Sequence, residues 1–191
     1  MKIKFALRYA PLLLISAPLA QAHPGHGPAD FAAGFIHPLT GWDHLLAMVA
    51  VGLWGAQLGG RSRWALPAGF VGAMTIGAAA GMAGWVPAGV EWGIMASVLI
   101  LGLALASAVR VPLGAGLAVA AAAGLMHGLA HGAEMPVNSD SVRFLAGMIG
   151  ATALLHAAGV TAGSVAAHRR PAWLRIAGAA IAASGVLLLV R

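Results

Sequence analysis

A chain of 191 residues that is 60% hydrophobic and 8% charged, with mean hydropathy +0.88, has too few polar side chains to cover a water-soluble domain. Spans of about 20 residues fit this length several times over and leave no room for a separate soluble domain, so the expectation is one all-α, polytopic membrane domain. The formal charge of +6 includes no basic tract long enough to follow a phosphate backbone, which excludes nucleic acid as a partner, and the absence of cysteine excludes disulfides and thiolate metal sites.

Residues 1–22 read as a secretory signal peptide: a basic start (Lys2, Lys4, Arg8), an apolar stretch from Leu12 to Leu19, and the small-x-small site Ala20-Gln21-Ala22. That stretch is short and broken by Pro18, which disfavours an uncleaved span. Of the 11 basic residues, eight then remain against five acids, and no lysine is left to form a Schiff base. The mature domain, residues 23–191, would begin outside the cytoplasm with "HPGHG". There His23 and His26 are either a capture site for a metal ion or a polar tail.

Apolar runs between Pro, Gly and Arg punctuation predict six helices, near 31–58, 64–85, 91–109, 112–132, 141–167 and 172–190. Arg61 and Arg63, Arg110, and Arg169, Arg170 and Arg175 fall in alternate connections; the opposite ones hold only Arg143 before the C-terminal Arg191. The arginine-rich side is expected to be cytoplasmic, which leaves the mature N-terminus outside, as cleavage also requires. Glycines four apart, such as Gly124, Gly128 and Gly132, put bare backbone on one helix face for close packing and make the fourth span central.

Ionisable groups inside a bilayer persist where they face a cavity, a partner or a metal. The first span carries His37, Asp43 and His44 in "HPLTGWDH", the fourth carries His127, His131 and Glu134 in "HGLAHGAE", and the fifth carries His156. On an unbroken helix His127, His131 and Glu134 share one face, where two histidines four apart can hold one divalent ion. His37 and His44 are about 10 Å apart on a straight helix, too far for one ion. Pro38 and Gly41 predict a break that shortens this distance. Helical rise places His44 about 20 Å and His156 about 21 Å from the outer face, at a shared level, with the fourth-span group nearer the mouth. For His156 an interhelical hydrogen bond competes with ligation, and His168, beside Arg169, reads as a surface residue. Clusters in spans one and four also suit an inverted repeat of three-span halves.

These motifs resemble the HupE/UreJ family of nickel and cobalt permeases. The resemblance covers nearly the whole chain: the signal peptide, the His-Gly start, "FIHPLTGWDHLLAMVAVGLWGAQLGG", "LMHGLAHGAEMP", "ATALLHAAG" and the final apolar span. It implies uptake of Ni²⁺, or of Co²⁺, across the cytoplasmic membrane for nickel enzymes such as hydrogenase or urease, with their maturation proteins as partners. It assigns metal binding to His37, Asp43, His44, His127, His131, Glu134 and His156, and it implies no prosthetic group.

Imidazole serves nickel, cobalt, zinc and copper alike, so ligand type does not choose the ion. Because histidine binds metal in its neutral form, uptake is expected to weaken as the outer pH falls well below about 6.5. Two rivals remain: an intramembrane zinc-dependent hydrolase using Glu134 or Asp43 as base, and an accessory protein that hands nickel over without transporting it.

Overall fold

The computed structural model describes residues 30–135 and 139–190, and all regular structure among them is α-helical. The signal peptide, His23 and His26 lie outside the described residues.

Asp30 opens α1 (Phe31–Thr40): its carboxylate accepts from the Ala33 N–H at 2.8 Å, satisfying a donor that a first turn leaves free. Pro38 has no N–H for the carbonyl one turn back, and the helix ends two residues later at Gly41, whose ψ of 119° is extended. α2 (Trp42–Leu58) restarts at once with Asp43 in its first turn, where the helix dipole favours a negative charge. The first expected span is therefore two helices joined at Gly41.

The others are α3 (Ser62–Met82), α4 (Val90–Ser107), α5 (Leu113–Glu134), α6 (Ser139–Arg169) and α7 (Pro171–Leu189). Each lies within three residues of an expected span at both ends. These five are long and apolar enough to cross a membrane. At 17 residues α2 sits at the lower limit of spanning length, with the 10 residues of α1 before it.

Side-chain bonds fix which helix ends are neighbours. Gln57, near the end of α2, donates to the Leu105 carbonyl at 3.0 Å, and Arg175 Nε, in α7, donates to the Ala106 carbonyl at 3.3 Å. Arg61, Arg63, Arg110, Arg169 and Arg170 gather at this end, opposite α1. Five tryptophans are exposed: Trp42, Trp85 and Trp92 by the helix ends on the α1 side, Trp64 and Trp173 by those on the arginine side. Two aromatic levels at the ends of an apolar bundle are what a bilayer with two interfaces selects. Between them exposed Ile76, Ile100, Leu103 and Leu154 form the lipid-facing surface.

The most extensive pairings are α3 with α5, α4 with α7, and α2 with α6, and α1 also lies on α6. Exchanging the halves, α1/α2–α4 for α5–α7, turns the α3–α5 pair into α6–α2 and leaves α4–α7 unchanged, the order an inverted repeat gives. The α3–α5 contact is backbone on backbone: a Cβ on Gly128 would overlap the Met74 carbonyl and stand 2.8 Å from the Ala78 nitrogen. Gly124 and Gly132 meet Phe70 and Ala78 in the same way, so one stripe of missing side chains sets the depth of α5 against α3. Phe70, Met74, Met48 and Leu101 fill the centre with no exposed surface.

Candidate metal site

The break at Gly41 folds α1 back toward the first turn of α2. The His37 and His44 rings come to 5.6 Å between centroids, edge to face, although a straight helix would hold them far apart. α5 adds His131, whose ring centroid lies 4.6 Å from that of His37 and 4.4 Å from that of His44. The Nε2 atoms of His44 and His131 face each other directly. One ligand nitrogen from each of the three histidines lies within 4.8 Å of the other two. Nitrogens bound to one ion at about 2.0–2.1 Å sit roughly 3 Å apart, so small side-chain rotations close this set around a cation. His44 and His131 are buried and His37 is half-buried, which puts the group at the α1 end with a path to the surface through His37.

Asp43 is placed beside this group and points at a histidine. Its Oδ1 accepts from His44 Nδ1–H at 2.7 Å and from the His44 backbone N–H at 2.9 Å. A carboxylate on Nδ1 fixes the tautomer, turns the Nε2 lone pair toward the cluster and raises the basicity of the ring. Asp43 thus stands beside the three converging histidines and contacts the site through His44. Glu134 ends α5 as an exposed residue outside the converging group. Sharing a helix face with His131 did not bring it to the same point, because the cluster closes toward α1 and α2 rather than along α5.

His127, one turn below His131, touches the cluster from beneath: its ring centroid is 4.9 Å from that of His44. Its Nδ1–H goes to the Ala123 carbonyl at 2.8 Å. His156 lies deeper. The α2–α6 contact is tightest where a Cβ on Gly52 would stand 2.9 Å from the Gly159 Cα, and there His156 Nδ1–H reaches the Met48 carbonyl at 2.7 Å. Met48 is one turn beyond His44, so the shared level expected for His44 and His156 gives way to a step of about 6 Å. The break at Gly41 explains the difference, since α1 does not continue the axis of α2 from which depth was counted. Among the described residues the fully buried Phe70 ring links the two deeper histidines, at 5.5 Å from His127 and 5.0 Å from His156. Nothing in the sequence around Phe70 marked it as part of the site. His168 is exposed and bonds its own helix at the Ser164 carbonyl, as expected for a surface residue.

A family model described as "HupE / UreJ protein" matches residues 11–188. Protein HupE of Rhizobium leguminosarum bv. viciae is 38% identical over 173 residues, an alignment covering 90% of this chain and 91% of that protein. No solved structure matches the chain.

Proposed function

The chain belongs to the HupE/UreJ family, and from that premise we propose that it takes up Ni²⁺, with Co²⁺ as an alternative cargo, across the cytoplasmic membrane of a bacterium. The observation that carries this reading is the convergence of His37, His44 and His131 from three helices onto one point at the α1 end. With the arginine-rich end in the cytoplasm and a cleaved signal peptide, that end faces outward and meets incoming metal first. His23 and His26, on the mature N-terminal segment, would then serve as a capture site, and Glu134, exposed at the α1 end, would draw cations to the mouth.

A hydrated divalent ion exchanges water for imidazole nitrogen at the cluster. The Asp43 carboxylate, 2.7 Å from His44 Nδ1, offsets part of the incoming charge where the dielectric is low. Neutral imidazoles without thiolate bind firmly and still release, as passage requires. The hydrolase reading is disfavoured because neither candidate base is free at the cluster: Asp43, beside it, is engaged by His44, and Glu134 lies outside the group. Nickel delivered this way would serve hydrogenase or urease through their maturation proteins.

The test is uptake of radioactive nickel by cells producing the wild-type protein or His44→Ala at equal membrane abundance, with cobalt as competitor. Accumulation by the wild type that cobalt suppresses, with at least tenfold less in the variant, is the expected result. A wild type that accumulates no metal despite correct insertion refutes the uptake reading.

A further inference from the structure

The arginine-rich end holds a cavity of about 450 Å³ that lies apart from the histidine cluster. Gln57 and Leu58 at the end of α2, Arg110 in the α4–α5 connection, and Ala172, Leu174 and Arg175 at the start of α7 line it. Close packing of α4 on α7 builds one wall: a Cβ on Gly178 would stand 2.8 Å from the Ala106 Cα. Ala108, left-handed at φ 54°, then turns the chain out of α4 toward Arg110. Arg175 Nε is anchored on the Ala106 carbonyl at 3.3 Å, which leaves the two terminal nitrogens of its guanidinium for other partners.

The chain supplies no counter-charge there. All five acidic residues, Asp30, Asp43, Glu91, Glu134 and Asp140, lie toward the α1 end. Among the described residues neither Arg110 nor Arg175 is in an ion pair. α7 adds to the positive field, since it starts at the cavity with Pro171 and Arg170 gives it no side-chain cap. Gln57 has the opposite need. Its Nε2 donates to the Leu105 carbonyl at 3.0 Å, while its Oε1 is buried as an acceptor without a donor. Exposed Trp64 and Trp173 set this end at the depth of a membrane interface.

We propose that this cavity binds the headgroup of an anionic phospholipid from the leaflet at the arginine-rich end. The phosphate pairs with Arg110 and Arg175, and a headgroup hydroxyl donates to Gln57 Oε1. Guanidinium matches phosphate oxygens in pairs, and basic pockets between spans take such headgroups from the surrounding leaflet. A lipid fits better than a soluble anion because Leu58, Val109 and Leu174 in the same lining offer apolar contact to its glycerol and upper acyl carbons. The bound lipid joins α2, the α4–α5 connection and α7, three elements that are separate in the chain.

The test is native mass spectrometry of the purified full chain in an uncharged detergent, titrated with phosphatidylglycerol. The wild type should retain one lipid per chain, and Arg110→Gln/Arg175→Gln should weaken retention at least tenfold. Arg61→Gln/Arg169→Gln removes the same charge at the same end but outside the cavity, and should bind within twofold of the wild type. If the first double variant does not elute as a single helical species, Arg110→Gln alone, which lies outside any helix, should still weaken retention severalfold. Equal loss in both double variants shows attraction by net charge alone and overturns the site, as does retention that no substitution changes. Inorganic phosphate that displaces the lipid at comparable concentration shows a site for a free anion and overturns the lipid assignment. The readout involves no metal, so its failure leaves the uptake reading untouched, and failure of nickel uptake leaves the lipid site standing.

Discussion

Asp43→Asn and Asp43→Ala separate the two things this carboxylate does for His44. In the structure Asp43 Oδ1 receives the His44 Nδ1–H at 2.7 Å, in a half-buried setting where a charge counts for more than in water. Outer partners of metal-binding histidines are worth about 10- to 100-fold in metal affinity, which is about 1.4 to 2.8 kcal/mol. Asparagine keeps an oxygen that accepts the Nδ1–H and loses the negative charge, so a weakening near the lower figure, about tenfold, is expected. Alanine loses the acceptor as well and frees the ring to turn, so about 100-fold is expected. The assay is calorimetric titration of the purified protein with Ni²⁺, paired with X-ray absorption at the metal edge. If Asp43 acts only on His44, the count of nitrogen and oxygen neighbours around the ion is the same in wild type and Asp43→Asn. Affinity within twofold of wild type in the alanine variant refutes the orienting role. Loss of one light-atom neighbour shows instead that Asp43 binds the ion itself.

Gly128→Ala places a Cβ 2.8 Å from the Ala78 nitrogen, and the α3–α5 contact must open by roughly 1 Å, at a cost of about 1–3 kcal/mol. A lower Tm and nickel binding weakened along with it are expected, because α5 carries His131 and a site tolerates about 0.5 Å of misplacement; unchanged Tm and binding would show that the two helices adjust freely. Gly41→Ala sets a methyl 3.0 Å from Asp43 Oδ1 and 3.1 Å from His44 Nδ1, in a backbone conformation that alanine accepts. Folding should be preserved while nickel affinity drops severalfold, and equal affinity would show that the Asp43–His44 pair has slack. The chain has no cysteine, so single substitutions report sidedness cleanly. Exposed Ala88→Cys should react with an impermeant maleimide on intact spheroplasts and exposed Ser107→Cys only after lysis, with the reverse pattern overturning the proposed orientation.

What was legible in the sequence follows from what is local. Apolar runs as long as a bilayer is thick located α3 to α7 within three residues, because helix length in a membrane is set by thickness and by Pro and Gly at the ends. Pro38 and Gly41 announced the break after α1 for the same reason: a missing N–H and a missing Cβ act on their own turn. The histidines were conspicuous as polar groups in apolar segments. Which of them meet was not written locally. His44 and His131 are 87 residues apart, and their contact depends on the depth at which α5 lies against α3 and α2, set by bare glycine faces whose partners no periodicity names. The same nonlocal register moved His156 one turn below His44, left Glu134 outside the cluster and brought Phe70 against both deeper imidazoles. The chain by itself determined a helical membrane protein with histidine-rich spans. Tertiary packing decided that three of those histidines form one site and two more lie beneath it, because helical periodicity orders side chains around one axis and only contact between helices fixes their height and rotation relative to one another.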